Sequence, residues 1–128
     1  MIDATSCKLI LVVEDDVDIR NMLALALEVE GYNVACAANG KEGLEVLEKV
    51  VSPCLILLDL MMPIMNGQEF LKVMRKDDIL AVIPIVVVSV FSDQAKDENV
   101  QGIMKKPIDL ETLLNTVRKY CDHRITHD

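Results

Sequence analysis

Three continuous aliphatic runs constrain the fold of this chain more than any other feature. They cover residues 9–13, 55–58 and 84–88, and each is closed by a polar or turn-forming residue. A strand of a parallel sheet reads as a near-continuous apolar run, because helices cover both faces of such a sheet. The stretches between the runs carry apolar residues at helical spacing. Alternating strands and helices predict a parallel sheet with right-handed crossovers and helices on both faces.

The predicted sheet has five strands. We place them at residues 8–13, 33–37, 54–58, 84–88 and 100–104. Helices are predicted over residues 16–30, from Asn39 to about residue 50, after Asn66, and after Asp109, with Asp16 at the N-terminus of the first. Residues 93–99 are polar with little apolar periodicity, so a helix there is expected to be irregular. Five strands of this length fit a flavodoxin-like doubly wound sheet of order 2-1-3-4-5.

The apolar positions of three helices predict their buried faces. On the first helix they are Ile19, Met22, Leu23, Ala26 and Leu27; on the third, Phe70, Leu71 and Met74; on the last, Leu110, Leu113, Leu114, Val117 and Cys121.

Size and charge limit the class of protein. A chain of 128 residues is expected to form one domain, residues 1–128, with a core at about 8–121. The net charge of −8 argues against binding nucleic acid or anionic membranes. Neither a signal peptide nor a membrane span is predicted, and the cytoplasm is the expected compartment. The four cysteines form no metal-ligand pattern and are expected to be reduced, with Cys36 and Cys54 as small buried hydrophobes.

Charged residues follow the predicted strands where ligands bind in open α/β sheets. Glu14 and Asp15 end the first strand, Asp59 ends the third, and Lys106 follows the fifth. The carboxyl ends of parallel strands share one edge of the sheet, so we expect these side chains to meet in one crevice. Carboxylates with a nearby lysine indicate a site for a divalent metal and a phosphoryl group.

Four motifs in chain order resemble those of response-regulator receiver domains of the CheY type. They are the acidic segment 14–16, the segment 58–63 with Asn66-Gly67, the strand 84–88 with Ser89, and Lys105-Lys106-Pro107. The resemblance covers almost the whole chain. It implies a stand-alone protein of a two-component system, phosphorylated by a sensor histidine kinase or a histidine phosphotransfer protein. Its output would be binding to a downstream protein that the sequence does not identify.

The resemblance also implies a role for each site residue. Asp59 would be the nucleophile that becomes an aspartyl phosphate. Mg²⁺ would be held by Asp15, Asp59 and the backbone carbonyl of Met61, with Glu14 acting through a metal-bound water. Lys106, followed by a cis peptide bond to Pro107, would contact a phosphoryl oxygen, and Ser89 would be the switch hydroxyl.

Several positions depart from the family pattern. The segment between Ser89 and Lys106 is shorter than usual, so its helix, the fourth in the family, is expected to be short, irregular or missing. Val90 is bulkier than the usual small residue, and Ile103 stands where the family usually has an aromatic side chain. These changes put the usual output surface in question. Met61 and Phe91 are apolar, and we expect them to slow hydrolysis of the phosphorylated form.

Alternative functions have different requirements. A degenerate receiver would dock a partner without phosphorylation, which the short segment favours and the intact acidic and lysine set disfavours. An aspartate-dependent phosphatase needs a general acid two residues after the nucleophile, where this chain has Met61. A flavin-binding protein needs a Gly/Ser/Thr-rich loop after the first strand. The chain is therefore predicted to be a switch rather than an enzyme; whether it forms a homodimer is left open.

Overall fold

The computed structural model describes residues 8–90 and 100–122. The strands are β1 (Leu9–Val13), β2 (Asn33–Ala37), β3 (Leu55–Leu58), β4 (Ile85–Ser89) and β5 (Gly102–Lys105). The helices are α1 (Val17–Val29), α2 (Gly40–Lys49), α3 (Gly67–Arg75) and α4 (Leu110–Cys121), with a 3₁₀ turn at Leu80–Val82.

The five strands form one parallel sheet in the order β2-β1-β3-β4-β5. Val13, at the end of β1, lies opposite Ala37 of β2 and Leu58 of β3. The carboxyl ends of these strands are therefore level with one another. The predicted doubly wound, flavodoxin-like sheet and its strand order are confirmed. Residues 93–99, where an irregular helix was expected, lie outside the described part of the chain, as do Phe91, Cys7 and the tail from residue 123.

Each central strand contributes to two cores. Ile10 and Val12 of β1 face the core that includes residues of α1 and α4, whereas Leu11 and Val13 face the core that includes Phe70 of α3. The alternation follows from the two-residue period of a strand, and it explains why every residue of β3 is apolar and buried.

Polar side chains mark where the helices begin. Asp16 accepts hydrogen bonds from the backbone N–H groups of Asp18 and Ile19 at the start of α1. Asn66 forms a complete capping box with Glu69 at the start of α3. At α2, Asn39 accepts from the backbone N–H of Glu42, as in a capping box, but the Glu42 carboxylate accepts from the N–H of Ala38.

The structure corrects some of the predicted details. Met22 and Leu110, placed on buried helix faces by periodicity, are 44% and 51% exposed. β5 begins at Gly102, two residues after its predicted start. The 3₁₀ turn was not predicted, because three residues are too few to show a helical period.

The cysteines differ most from expectation. Cys54 and Cys121 form a disulfide with their Cα atoms 5.3 Å apart, across a sequence separation of 67. Cys36 is exposed on β2 rather than buried. The sequence could not reveal the pair, because it depends on where α4 packs against the beginning of β3.

Candidate functional site

Two buried carboxylates lie directly after β1 and β3. Glu14 and Asp59 are 2% and 4% exposed. The backbone N–H of Glu14 donates to Ala37 at 2.9 Å, and that of Asp59 donates to Val13 at 3.0 Å. These bonds continue the hydrogen-bond ladder of the sheet by one residue beyond β1 and β3. The backbone of Glu14 and of Asp59 is therefore held rigidly, and the two side chains start from neighbouring strand ends.

Lys106 lies between the two carboxylates. Its Nζ is 2.9 Å from Glu14 Oε1 and 3.7 Å from Asp59 Oδ1. The backbone N–H of Lys106 donates to the carbonyl of Ser89 at 3.1 Å, and a cis peptide bond joins it to Pro107, as expected. Lys106 thus lies just beyond β5, and its single ammonium group faces two carboxylates.

The surroundings of Asp59 disfavour its ionised form. Burial, then the negative charge of Glu14, raise the pKa of the Asp59 carboxyl to about 7, against the opposing effects of Lys106 and the N–H of Met61. That N–H lies 3.4 Å from Asp59 Oδ1. A single lysine shared by two acids therefore leaves the site short of positive charge.

A divalent cation would supply the positive charge that the site lacks. Carboxylate oxygens of Glu14, Asp15 and Asp59 lie within 4.8 Å of one another, and Asp15 is exposed at the mouth of the site. Hard oxygen donors with an open side suit Mg²⁺, which keeps several of its waters. Beside them lies a cleft of about 340 Å³, whose lining includes Asp15, Met61 and Asn66. The acidic pocket is thus of the kind that binds Mg²⁺.

Ser89 and Met61 complete the predicted site set. Ser89 is fully buried at the end of β4, between β3 and β5 in the sheet. Met61 is 53% exposed. All the predicted site residues therefore follow or end strands at one edge of the sheet, and Glu14, Asp15, Asp59 and Lys106 come together there.

Two further residues support the site, although neither was assigned a role in it from the sequence. Nη1 of Arg20, on α1, donates to the carbonyl of Glu14 at 2.8 Å and reaches that of Asp15 at 3.4 Å. Gly67 opens α3 so close to the Asp59 loop that an added Cβ would lie 2.6 Å from the carbonyl oxygen of Asp59. The available signals were an arginine one turn into the helix after the acids, and a glycine at a helix start.

The parallel sheet and its acidic crevice define the class: a flavodoxin-like α/β domain of the CheY-like type. Residues 10–118 match the family described as the response regulator receiver domain. The chain belongs to this family and is therefore a receiver domain of two-component signalling. Receiver domains are in general not conventional enzymes.

Individual relatives agree with this assignment. The chain is 32% identical over 114 residues to Protein PilH of Pseudomonas aeruginosa, covering 84% of this chain and 93% of PilH. It is also 32% identical to the "DNA-binding dual master transcriptional regulator RpaA" of Synechocystis, covering 85% of this chain but 47% of that protein. It therefore spans about half the length of some of its relatives.

A solved structure agrees as well. The chemotaxis response regulator CheY4 of Vibrio cholerae superposes with a TM-score of 0.78 at 33% identity, covering 88% of this chain and 97% of CheY4. Among the described helices of this chain, none has the length and apolar character needed to cross a membrane.

Proposed function

We propose that this chain is a phosphorylatable receiver in which Asp59 accepts a phosphoryl group from a histidine of a sensor kinase or a phosphotransfer protein. One observation carries the proposal: the buried Asp59 carboxylate lies beside two further acids and within 3.7 Å of a lysine. Covalent catalysis by a carboxylate needs such a nucleophile, and phosphoryl transfer needs mainly positioning and charge neutralisation.

In the proposed reaction, a carboxylate oxygen of Asp59 attacks the phosphorus of the phosphohistidine. The phosphorus–nitrogen bond breaks, and the imidazole leaves with its electron pair. Glu14, Asp15, Asp59 and the carbonyl of Met61 would hold Mg²⁺, which when bound neutralises the charge of the carboxylates and of the phosphoryl oxygens.

Lys106 and Ser89 would then hold the product. The Lys106 ammonium, already 3.7 Å from Asp59 Oδ1, needs only a short movement of its flexible stem to reach a phosphoryl oxygen. The Ser89 hydroxyl would donate to another phosphoryl oxygen. The backbone N–H of Lys106 donates to the carbonyl of Ser89, so both contacts would favour one arrangement of the ends of β4 and β5. A phosphoryl group that interacts better with one conformation shifts the population towards it.

The output in this proposal is binding to another protein. The net charge of −8 supports a protein partner rather than nucleic acid for this domain. We further propose that residues 1–128 act as one receiver unit with its core at about 8–121, that it acts in the cytoplasm, and that Met61 slows hydrolysis from its half-exposed place beside the cleft.

Intact-protein mass spectrometry tests the phosphorylation. The protein is incubated with acetyl phosphate, with and without Mg²⁺, next to Asp59→Asn and the control Asp78→Asn, which changes an exposed acid in the turn after α3. We expect one phosphoryl adduct that requires Mg²⁺, persists in D78N and is lost in D59N.

The same experiment distinguishes a phosphorylatable receiver from a degenerate one. A degenerate receiver would give no adduct with acetyl phosphate, nor with a phosphorylated histidine phosphotransfer protein as donor. An adduct that persists in D59N would contradict the assignment of the nucleophile. The acidic cluster, with Glu14 and Asp59 buried and Asp15 exposed, supports a phosphorylatable receiver over a degenerate one. Close carboxylates repel one another without a bound cation, and phosphoryl transfer needs such a cation.

A further inference from the structure

A second site of chemistry lies at the opposite end of β3 from Asp59. Cys54, directly before β3, is joined to Cys121, the last residue of α4. We propose that these two cysteines form a thiol–disulfide exchange site that takes low-molecular-weight thiols and disulfides as its reactants. The closed bond fastens the end of α4 to the sheet, and the reduced pair leaves that helix held by non-covalent contacts.

The packing of α4 against the sheet brings the two sulfur atoms together, without any contribution from the residues around Asp59. Their Cα atoms are 5.3 Å apart, within the range that a disulfide spans without backbone movement. Cys121 belongs to the apolar core that includes Leu55 and Val117, and the partly buried Cys54 packs against that core. Packing of α4 against the sheet therefore sets their distance, so the reduced protein presents the two thiols to each other in the same place.

The reduced state also has a partner for the more accessible sulfur. Cys54 Sγ lies 3.3 Å from the carbonyl oxygen of Leu9, a distance at which a thiol donates a weak hydrogen bond. Cys121 is 4% exposed and packs as a small hydrophobe would. Opening the bond thus leaves neither sulfur without suitable surroundings, which is what a reversible pair requires.

Exposure sets the order of the exchange. Cys54 is half-buried, so its thiolate attacks one sulfur of a disulfide such as glutathione disulfide, and one glutathione thiolate leaves. The thiolate of Cys121 then attacks the Cys54 sulfur and displaces the second glutathione thiolate. The protein loses two electrons and two protons, and one glutathione disulfide becomes two glutathione thiols.

The bond reinforces a helix end that has few other polar attachments among the described residues. The Tyr32 hydroxyl donates to Asp122 at 3.0 Å, and burial, followed by that hydrogen bond, raises the pKa of Tyr32 to about 12. Arg118 and Glu30 form an ion pair at 3.6 Å that is exposed and therefore weak. A covalent link closing a loop of this length is expected to raise the thermal midpoint by on the order of 10 °C.

The test measures thiols and stability rather than phosphorylation. The full chain is equilibrated in glutathione buffers of graded composition, quenched with a maleimide, and mapped by peptide mass spectrometry. Thermal unfolding is followed in the same buffers. Cys54→Ala and Cys121→Ala are compared with the control Cys36→Ala, which removes an exposed thiol on β2.

We expect a Cys54–Cys121 disulfide that forms reversibly, with a thermal midpoint about 10 °C above that of the reduced protein. The difference should vanish in C54A and C121A and persist in C36A. A pair that stays reduced in every buffer, stops at a mixed disulfide on Cys54, or forms without raising the midpoint would overturn the proposal. Since no readout involves Asp59, failure here leaves the proposed phosphorylation untouched, and the converse also holds.

Discussion

The Lys106 ammonium lies nearer to Glu14 than to Asp59. Its Nζ is 2.9 Å from Glu14 Oε1, and its distance to Asp59 Oδ1 is 3.7 Å. The lysine that would bind the phosphoryl group is thus held mainly by a neighbouring acid, and Asp59 receives only part of its charge.

Replacing Glu14 by Gln should redistribute this charge. The variant keeps the shape of the side chain but removes the negative charge that helps to raise the pKa of Asp59. Lys106 should then pair with Asp59, and the pKa of Asp59 should fall. Carbon-13 NMR titration of the Asp59 carboxyl measures it, with Glu45→Gln on the exposed face of α2 as control. An unchanged titration in E14Q would contradict the proposed charge sharing.

Stability should depend on pH through Asp59. Its folded-state pKa, about 7, exceeds the ordinary value of 3.8, so the folded protein binds the proton more tightly than the unfolded chain. The stabilisation is therefore present below about pH 4 and is lost as the pH rises through 7. At pH 8 without metal, we expect Asp59→Asn to be more stable than the native protein by on the order of 2 kcal/mol.

Urea unfolding between pH 4 and 8 checks this prediction. The stability curve of D59N should be flatter than that of the native protein over this range, and Mg²⁺ should reduce the difference at pH 8. D78N serves again as the control for a lost surface charge. Parallel curves for D59N and the native protein would show that Asp59 titrates normally.

Arg20 should position the acidic residues for the metal. Its guanidinium bonds the carbonyls of Glu14 and Asp15, so Arg20→Ala would loosen the turn that carries them. Residues that hold metal ligands in place without touching the metal typically affect its affinity, so we expect Mg²⁺ to bind Arg20→Ala roughly tenfold more weakly. Calorimetric titration measures the affinity, and urea unfolding shows whether the fold is kept.

Two variants separate positioning from a general effect of charge. Arg20→Lys should recover part of the affinity, whereas Arg118→Gln, on α4, should bind Mg²⁺ normally. If R20A binds Mg²⁺ as tightly as the native protein, the two carbonyl contacts have no positioning role. If the native protein itself binds none, the proposed metal site is at fault instead.

Gly67→Ala should disturb the site through its backbone. The new Cβ would lie 2.6 Å from the Asp59 carbonyl oxygen and 2.8 Å from Leu60 Cα, atoms that move only with the chain. We expect a loss of about 1–3 kcal/mol in unfolding free energy together with weaker Mg²⁺ binding. The matched control is Gly102→Ala in β5, where the nearest atom, on Val86, is 3.6 Å away. Equal stability of G67A and G102A would refute this reasoning.

Much of the fold followed from local patterns. The strands could be predicted because buried parallel strands are apolar on both faces. The helix starts could be predicted because Asp16, Asn66 and Asp109 accept hydrogen bonds from backbone N–H groups that a helix leaves unpaired. Periodicity was less reliable at Met22, at the edge of its helix face, and at Leu110, the first residue of α4. There the extent of the neighbouring layer, rather than the spacing of apolar residues, decides exposure.

The sequence by itself determined the parallel sheet and the meeting of Glu14, Asp15, Asp59 and Lys106, because parallel strands place their carboxyl ends at one edge. The strand order was predicted only as the usual order of a flavodoxin-like sheet, and the structure confirmed it. The tertiary structure alone decided how Lys106 divides between two acids, which carbonyls Arg20 reaches, and that Cys54 meets Cys121. These relations depend on side-chain rotamers and on how separate elements pack. Neither is encoded in the spacing of residues along a strand or a helix.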